Sequence, residues 1–204
     1  MGMMNEIGRR SFLASLVVAA GSCAHGGRKR NPWMLKQTEY VDERTGVRVY
    51  PLVADEHKNQ VVYQTHPMWT PDMNFLLFVS DRTGGVLLPH VRDMRSGKVS
   101  CVTPDGADDW TLSRKTATFF VRQKDTVYCK DVVSFPENRS ALLTDPRLGE
   151  FGAFSMSIDA DERVLYAGIV IEPDTKWGII AIDLDKKVCD VFLEVDFRVG
   201  HVQA

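Results

Sequence analysis

Apolar and polar residues alternate in short segments along most of the chain, and turn-forming residues separate these segments. Alternation with a period of two over about four to eight residues is typical of a half-buried β-strand. Residues 59–195 consist largely of such segments, and a helical period of useful length does not occur after the first thirty residues. The pattern therefore predicts an all-β protein.

A motif of a polar turn followed by an apolar strand occurs three times. The copies lie at residues 69–78, 112–121 and 158–166, and matching Phe78, Val121 and Tyr166 gives spacings of 43 and 45 residues. After each copy, a second apolar strand ends in an aspartate and a polar turn. Four short strands in about 40 to 50 residues are typical of one blade of a β-propeller.

The repeat predicts about three complete four-stranded blades within residues 59–195 and the start of a fourth blade at residues 198–204. Propellers close with typically about four to eight blades. We therefore expect residues 40–204 to form the N-terminal part of a propeller, after a linker at residues 25–39. The sequence leaves open whether this is a truncated product, a fragment or one piece of a two-chain assembly. Open sheet edges favour association, so we expect the chain alone to be oligomeric or poorly soluble.

The first thirty residues have the pattern of an export signal. Arg9 and Arg10 directly precede an apolar run at residues 12–20, which is too short to span a bilayer. The order Arg-Arg-Ser-Phe-Leu resembles a twin-arginine translocation signal. Residues 1–24 are therefore predicted to direct export, and we expect the mature protein in the periplasm or at the cell envelope. Cleavage by ordinary signal peptidase and lipoprotein cleavage, which leaves a lipid anchor at Cys23, both fit the sequence.

The charge distribution excludes one class of partner. The chain has 25 Lys and Arg against 27 Asp and Glu, and five of the basic residues lie within the first thirty positions. The remainder carries a formal net charge of −6. Nucleic acid binding needs clustered Lys and Arg that release counterions, so a nucleic acid partner is not expected. With 44% hydrophobic residues the chain is nevertheless able to bury one sizeable core, and no membrane span is expected.

Several segments of the body resemble the oligogalacturonate lyases. The resemblance covers about residues 40–204. Its turn-and-strand parts are shared with TolB-like propellers in general. Its more specific parts are Asp42-x-x-Thr45-Gly46, the run from His57 through Asn59 to Tyr63, and Gly200-His201.

The resemblance implies a seven-bladed propeller that cleaves short galacturonate oligomers by β-elimination with a divalent metal such as manganese. In that family the histidine base and the metal-binding residues come from later blades. The resemblance therefore implies no catalytic residue and no metal site within this chain, and oligogalacturonate or a related uronate oligosaccharide as its ligand. The alternative is a non-catalytic TolB-like propeller that binds a protein or a glycan in the cell envelope.

Four residues are candidates for substrate binding: His57, Asn59, Arg82 and His201. His57 and Asn59 precede the first strand of a blade, where neutral polar side chains face the central channel and hydrogen-bond sugar hydroxyls. Arg82 is predicted at a blade corner, where a guanidinium either holds a carboxylate in bidentate fashion or pairs with Asp81 in a turn. His201 begins the predicted fourth blade and matches the Gly-His of the lyases.

Three further residues have two interpretations each. Trp110 follows two aspartates, and an indole beside acids suits stacking on a sugar ring, but a place in the propeller core is favoured. Trp177 is interpreted as a packing residue. For His66, beside Pro67, a structural hydrogen bond is as strongly indicated as a ligand contact.

The export signal gives a first testable prediction. Changing Arg9 and Arg10 together to lysine should block export, because the twin-arginine pathway requires the arginine pair itself and not its charge alone. The matched control changes Arg28 and Arg30 to lysine and should leave export intact. Cell fractionation followed by immunoblotting measures the exported share, and unchanged export of the first variant contradicts the assignment.

Overall fold

The structure is a computed structural model, and it describes residues 33–63, 66–134, 137, 139–149 and 156–204. These residues form three antiparallel sheets and one small hairpin. The only helical element among them is a single 3₁₀ turn, Pro146–Gly149, and none of them lies in a helix able to cross a membrane. The prediction of an all-β partial propeller with three blades is confirmed. The predicted signal, residues 1–24 with Cys23, lies outside the described residues.

The first blade contains one strand more than the repeat predicts. From its inner edge outwards, its strands are β4 (Asn59–Gln60), β5 (Phe75–Ser80), β6 (Leu88–Asp93), β7 (Lys98–Cys101) and β1 (Trp33–Met34). Residues 33 and 34 fall within the segment 25–39 that was predicted to be a linker, so part of this segment belongs to the sheet. The physical reason is that β7 would otherwise expose an unpaired edge, and β1 pairs with that edge.

The second and third blades are four-stranded sheets whose strands follow in sequence order. The second blade consists of β8 (Asp109–Leu112), β9 (Thr118–Gln123), β10 (Thr126–Asp131) and β11 (Ser140–Thr144). The third blade consists of β12 (Ser157–Ile158), β13 (Val164–Glu172), β14 (Lys176–Asp183) and β15 (Val188–Val195). The first strands β4, β8 and β12 form the inner edge, which in a propeller lines the central axis.

A short hairpin of β2 (Tyr40–Val41) and β3 (Arg48–Val49) contains the Asp-x-x-Thr-Gly motif. The Asp42 carboxylate accepts hydrogen bonds from the Thr45 N–H at 2.8 Å and the Thr45 hydroxyl at 2.7 Å. These hydrogen bonds lower the pKa of Asp42. Gly46 has a φ of +71°, which favours glycine. The motif is therefore accounted for by the chemistry of its own turn.

Hydrogen bonds across the turns fix how the three repeats align. In each blade an N–H donates to the carbonyl five residues later: Thr70 to Phe75, Ser113 to Thr118, and Asp159 to Val164. The three acceptors are spaced by 43 and 46 residues, so the third copy aligns one residue later than the sequence pattern predicted. Ala167, and not Tyr166, is the structural equivalent of Phe78 and Val121.

Neighbouring residues of each second strand face opposite sides of the sheet and form two interblade cores. Leu77 faces the second blade and packs in one buried cluster with Leu112 and Phe119. Phe120, the equivalent of Leu77, faces the third blade and packs in a second cluster with Leu165. The next equivalent is Tyr166, which packs against a buried pair in the C-terminal segment, Val199 and Val202.

The outward face of the first blade is covered by the chain that precedes it. Leu76, Phe78 and Val99 are buried there, and half-buried residues from the N-terminal segment, among them Trp33 and Val53, pack against them. Both terminal sheets thus receive apolar cover from segments outside the blades.

His90 is a buried histidine whose two ring nitrogens both have partners. Nδ1 lies 2.8 Å from the Leu88 carbonyl oxygen, and Nε2 lies 3.0 Å from the Thr83 hydroxyl. A carbonyl only accepts, so Nδ1 carries the proton and Nε2 accepts from the hydroxyl. Burial in this first blade lowers the pKa of His90 to about 4. The residue is therefore neutral at neutral pH and serves the packing of β6.

This histidine should make stability depend on pH. Above pH 6.5 the His90 ring is neutral in both the folded and the unfolded protein. As the pH falls towards 4, the ring becomes protonated in the unfolded chain but stays neutral in the folded one. The stabilisation is therefore present above about pH 6.5 and is lost progressively down to about pH 4. We expect the stability difference between the wild type and His90→Asn to shrink by about 3 kcal/mol over that range in urea titrations. Parallel pH profiles for the two proteins contradict this assignment.

Candidate functional site

Arg82 lies at the centre of a polar group at the start of the first blade. Its Nη2 donates to Asp55 Oδ2 at 2.6 Å and to Asn59 Oδ1 at 3.0 Å. The guanidinium carbon lies 5.2 Å from the ring centre of Phe78 and 5.9 Å from that of Trp33. The side chain of Arg82 has no exposed surface. Its contacts therefore join the N-terminal segment to the first blade, and no part of the guanidinium faces solvent.

His57 and Asn59 belong to the same group. The Asn59 amide donates to Asp55 Oδ1 and to the His57 carbonyl, both at 2.9 Å. His57 Nδ1 lies 3.4 Å from a carboxylate oxygen of Asp81. The structure thus brings together three of the four predicted substrate-binding residues and engages them in contacts with each other. Arg82 does pair within the protein, but mainly with Asp55 and not with its neighbour Asp81. That these three residues bind substrate stays a prediction.

The inner strand of the first blade is interrupted by a loop. Strand β4 pairs with β5 at Gln60 and Val79, and the pairing resumes where the Leu77 N–H donates to the Met68 carbonyl at 2.7 Å. Of the residues in between, 61–63 and 66–67 lie outside the sheet, and we call these the inner-edge loop. A turn within it is closed by the His66 N–H, which donates to the Tyr63 carbonyl at 2.8 Å.

The inner-edge loop meets residues from the other blades in a group that we call the aromatic–histidine cluster: Tyr63, His66, Trp110 and His201. The rings of Tyr63 and His201 are stacked, with centres 4.6 Å apart and planes 9° apart. His66 meets Tyr63 edge to face at 6.2 Å and Trp110 edge to face at 6.3 Å. His201 is therefore separated from the other three predicted binding residues and joins a different group.

His66 links the first blade to the third. Its Nε2 lies 3.0 Å from the Met156 carbonyl oxygen, so Nε2 is the donor and Nδ1 carries the lone pair of the neutral ring. Burial lowers the pKa of His66, the Met156 hydrogen bond raises it in part, and electrostatic interactions with Arg114 and His201 lower it further. The ring is thus a neutral hydrogen-bonding group at neutral pH.

The cluster has one buried side and one exposed side. Trp110 packs against Phe119, with ring centres 5.9 Å apart, in the core between the first and second blades. Tyr63 is 47% exposed, and His201 is exposed as well. The favoured interpretation of Trp110 as a core residue agrees with these contacts, and its ring also contacts His66 within the cluster. Aromatic rings beside polar side chains suit contacts with a sugar ring.

A cleft of about 360 Å³ lies elsewhere, beside the hairpin between β9 and β10. Its polar groups bond to one another: the Lys124 N–H donates to Asp108 Oδ2 at 2.6 Å, and Arg139 pairs with Asp105 at 3.3 Å. The cleft is therefore not the better candidate for a binding site.

Three stacked antiparallel sheets, the first of five strands and the other two of four, define the chain as part of a β-propeller. Two solved oligogalacturonate lyases have the same fold. The enzyme from Vibrio parahaemolyticus is 16% identical with a TM-score of 0.69, and a lyase in complex with manganese is 17% identical with a TM-score of 0.70. In both cases the match covers 84% of this chain and 50% of the lyase chain. The chain thus spans about half the length of these lyases, and the similarity concerns the fold.

The other comparisons add no further evidence on the fold or the family. TolB from Acinetobacter baumannii aligns with 22% identity and a TM-score of 0.42 over 59% of this chain and 30% of that chain. No protein-family model and no curated protein matches the sequence. Within the described ranges, no group of three or more His, Cys, Asp or Glu side chains is placed to hold a metal ion. Those residues therefore do not fit the manganese named for one lyase structure.

The polar group around Arg82 gives a stability prediction. Asp55→Ala should lower the free energy of unfolding by about 3 kcal/mol, because it leaves a fully buried guanidinium without its counter-charge. Adding Arg82→Met should restore part of the loss, since an apolar side chain fits between Trp33 and Phe78. Asp81→Ala is the matched control and should change stability by less than about 1 kcal/mol, because the pair of Asp81 with His57 is partly exposed. Urea unfolding measures all three, and equal losses for Asp55→Ala and Asp81→Ala contradict this account.

Proposed function

We propose that this chain contributes the sugar-binding inner edge of a propeller that cleaves short uronate oligosaccharides by β-elimination. The observation that carries the proposal is the aromatic–histidine cluster, in which groups from the inner-edge loop, the second blade and the C-terminal segment converge. The shared fold with two oligogalacturonate lyases supports it. The export signal predicted for residues 1–24 would bring the protein to the periplasm or envelope, where exogenous oligosaccharides arrive.

The cluster supplies the two kinds of contact that sugars require. A sugar ring presents an apolar face of C–H groups, which suits the aromatic rings of Tyr63 and His201, and an equator of hydroxyls, which suits the ring nitrogens of His201. Because burial lowers the pKa of His66, its neutral ring also avoids the desolvation cost of a buried charge. The described residues thus favour binding of a carbohydrate over binding of an apolar ligand.

The proposed reaction takes the proton from C5 of the uronate, beside its carboxylate, and expels the oxygen at C4 with the bonding electrons, which leaves a C4–C5 double bond. Such a step requires a base and a group that stabilises the negative charge developing on the carboxylate. The contribution proposed for this chain is to bind and orient the sugar. We therefore expect ligand binding by this chain, and no turnover by it alone.

Isothermal titration calorimetry with trigalacturonate tests the binding. We expect saturable binding, and no increase in the ultraviolet absorbance of the unsaturated product. Absence of trigalacturonate binding together with measurable binding of an envelope protein moves the assignment to a non-catalytic TolB-like scaffold. Turnover by the chain alone contradicts the limited role proposed for it.

Substitutions separate the cluster from the Arg82 group. Tyr63→Ala and His201→Ala should each weaken trigalacturonate binding by about tenfold, since an aromatic contact contributes about 1 kcal/mol and a polar contact is lost with it. Tyr40→Ala is the matched control, because Tyr40 is similarly exposed at 55% but lies in the β2–β3 hairpin. His57→Ala tests the other predicted group and should weaken binding less than His201→Ala does, because His57 already pairs with Asp81. A loss with His57→Ala but not with His201→Ala places the site at the Arg82 group instead.

A further inference from the structure

Arg92 is a buried arginine in the middle of an apolar row on the outward face of the first blade. Its direct neighbours across the sheet are Leu76 of β5 and Val99 of β7, which share its face. Trp69 lies opposite Leu76 at one end of the row, and Trp33 lies opposite Val99 at the other. Arg92 is only 2% exposed, and Leu76 and Val99 belong to the buried cluster of this face. The row thus encloses one positive charge among apolar side chains.

The arginine departs from the repeat at a position where an apolar residue is accommodated. In each blade the N–H just after the third strand donates to the carbonyl just before the second strand: Met94 to Asn74, Val132 to Ala117, and Leu184 to Arg163. Two residues before these donors, Arg92 therefore corresponds to Lys130 and to Ile182. Ile182 is fully buried in the core between the second and third blades. Folding of a blade therefore does not require an arginine at this position.

The guanidinium of Arg92 lacks a counter-charge. Among the described residues, none forms a hydrogen bond or an ion pair with it, and its Nε is buried without an acceptor. Two other buried arginines differ, since Arg82 donates to Asp55 and Arg122 donates to the Gly168 carbonyl. Burial lowers the pKa of Arg92 and of Arg82, but only for Arg82 do carboxylates, chiefly Asp55, raise it in part. Because arginine stays protonated in proteins, Arg92 holds an uncompensated charge.

We propose that Arg92 binds a small monovalent anion, chloride or a short carboxylate, on the outward face of the first blade. A buried charge is strongly unfavourable without a partner, and an anion supplies both the opposite charge and the missing hydrogen-bond acceptor. A single guanidinium matches a single negative charge, and the apolar row disfavours a strongly hydrated divalent anion. The site lies on the outward face and not at the inner edge, so it is independent of the proposed function.

Urea unfolding of the whole chain tests the assignment. Sodium chloride or sodium acetate is raised against sodium fluoride, so that the ionic strength stays constant. We expect the unfolding equilibrium constant to fall saturably with at least one of the two anions, by about tenfold when its concentration is ten times its dissociation constant. A response to acetate alone identifies a carboxylate, and a response to chloride alone identifies a halide. Arg92→Ile, which introduces the residue found at position 182, should abolish the response.

The matched control is Arg95→Gln, which removes an equal charge from the exposed turn after β6 and should keep the response. Arg92→Met serves in the same way as Arg92→Ile if the branched side chain prevents folding. Binding is also measured on the folded chain by NMR, from the broadening of the chloride-35 signal or of the acetate methyl signal. The wild type should broaden the signal of the stabilising anion, and the Arg92 variant should not. Stability that is independent of both anions, or an equal response of wild type and Arg92 variant, overturns the proposal.

Discussion

The fold depends on one constraint: the second strand of each blade is apolar on both faces, so every sheet must be covered twice. Leu76 and Leu77 face opposite ways, as do Phe119 and Phe120, and each pair requires a neighbour on either side. Stacking of the three blades buries the faces that lie between them, but it leaves one apolar face uncovered at each end of the stack. The N-terminal segment covers the first blade with Trp33, and the C-terminal segment covers part of the third with Val199 and Val202. The outer part of that last face stays exposed at Phe192.

The blades were predictable from the sequence because their turns and strands recur, but their exact alignment was not. The third copy was placed one residue early, which assigned Tyr166 to the wrong face, since strand residues alternate with a period of two. A bulky aromatic looked like the match for Phe78, whereas the hydrogen-bonded turn places the small Ala167 there. The strand at Trp33 was missed for a related reason. A two-residue pairing that completes another strand's edge carries no periodic signal of its own.

The candidate site was less predictable, because its contacts join residues far apart in the sequence. His66 and Met156 are separated by 90 positions, and no local pattern announces their hydrogen bond. The available signal was Pro67, which cannot donate to a strand ladder and so marks an interruption of the inner strand. The chemistry of Arg82 suggested that it binds the carboxylate of a ligand. In the structure its guanidinium instead donates to the carboxylate of Asp55, which lies 27 positions away in the sequence. A charged residue in a corner between strands has to be paired if it is buried, and only the fold shows with which partner.

A ligand should be bound by residues that depart from the repeat, because the residues that recur in every blade are buried in the cores between the blades. Two departures from the repeat meet at the inner edge: the inner-edge loop and the C-terminal segment with His201. These parts also connect the blades: His66 of the inner-edge loop bonds to Met156 of the third blade, and Tyr63 stacks on His201 of the C-terminal segment. The relative placement of the blades and the geometry of the site therefore depend on the same contacts. A ligand bound at the aromatic–histidine cluster would reinforce those contacts, so binding should stabilise the stacked arrangement by an amount that grows with the concentration and the affinity of the ligand.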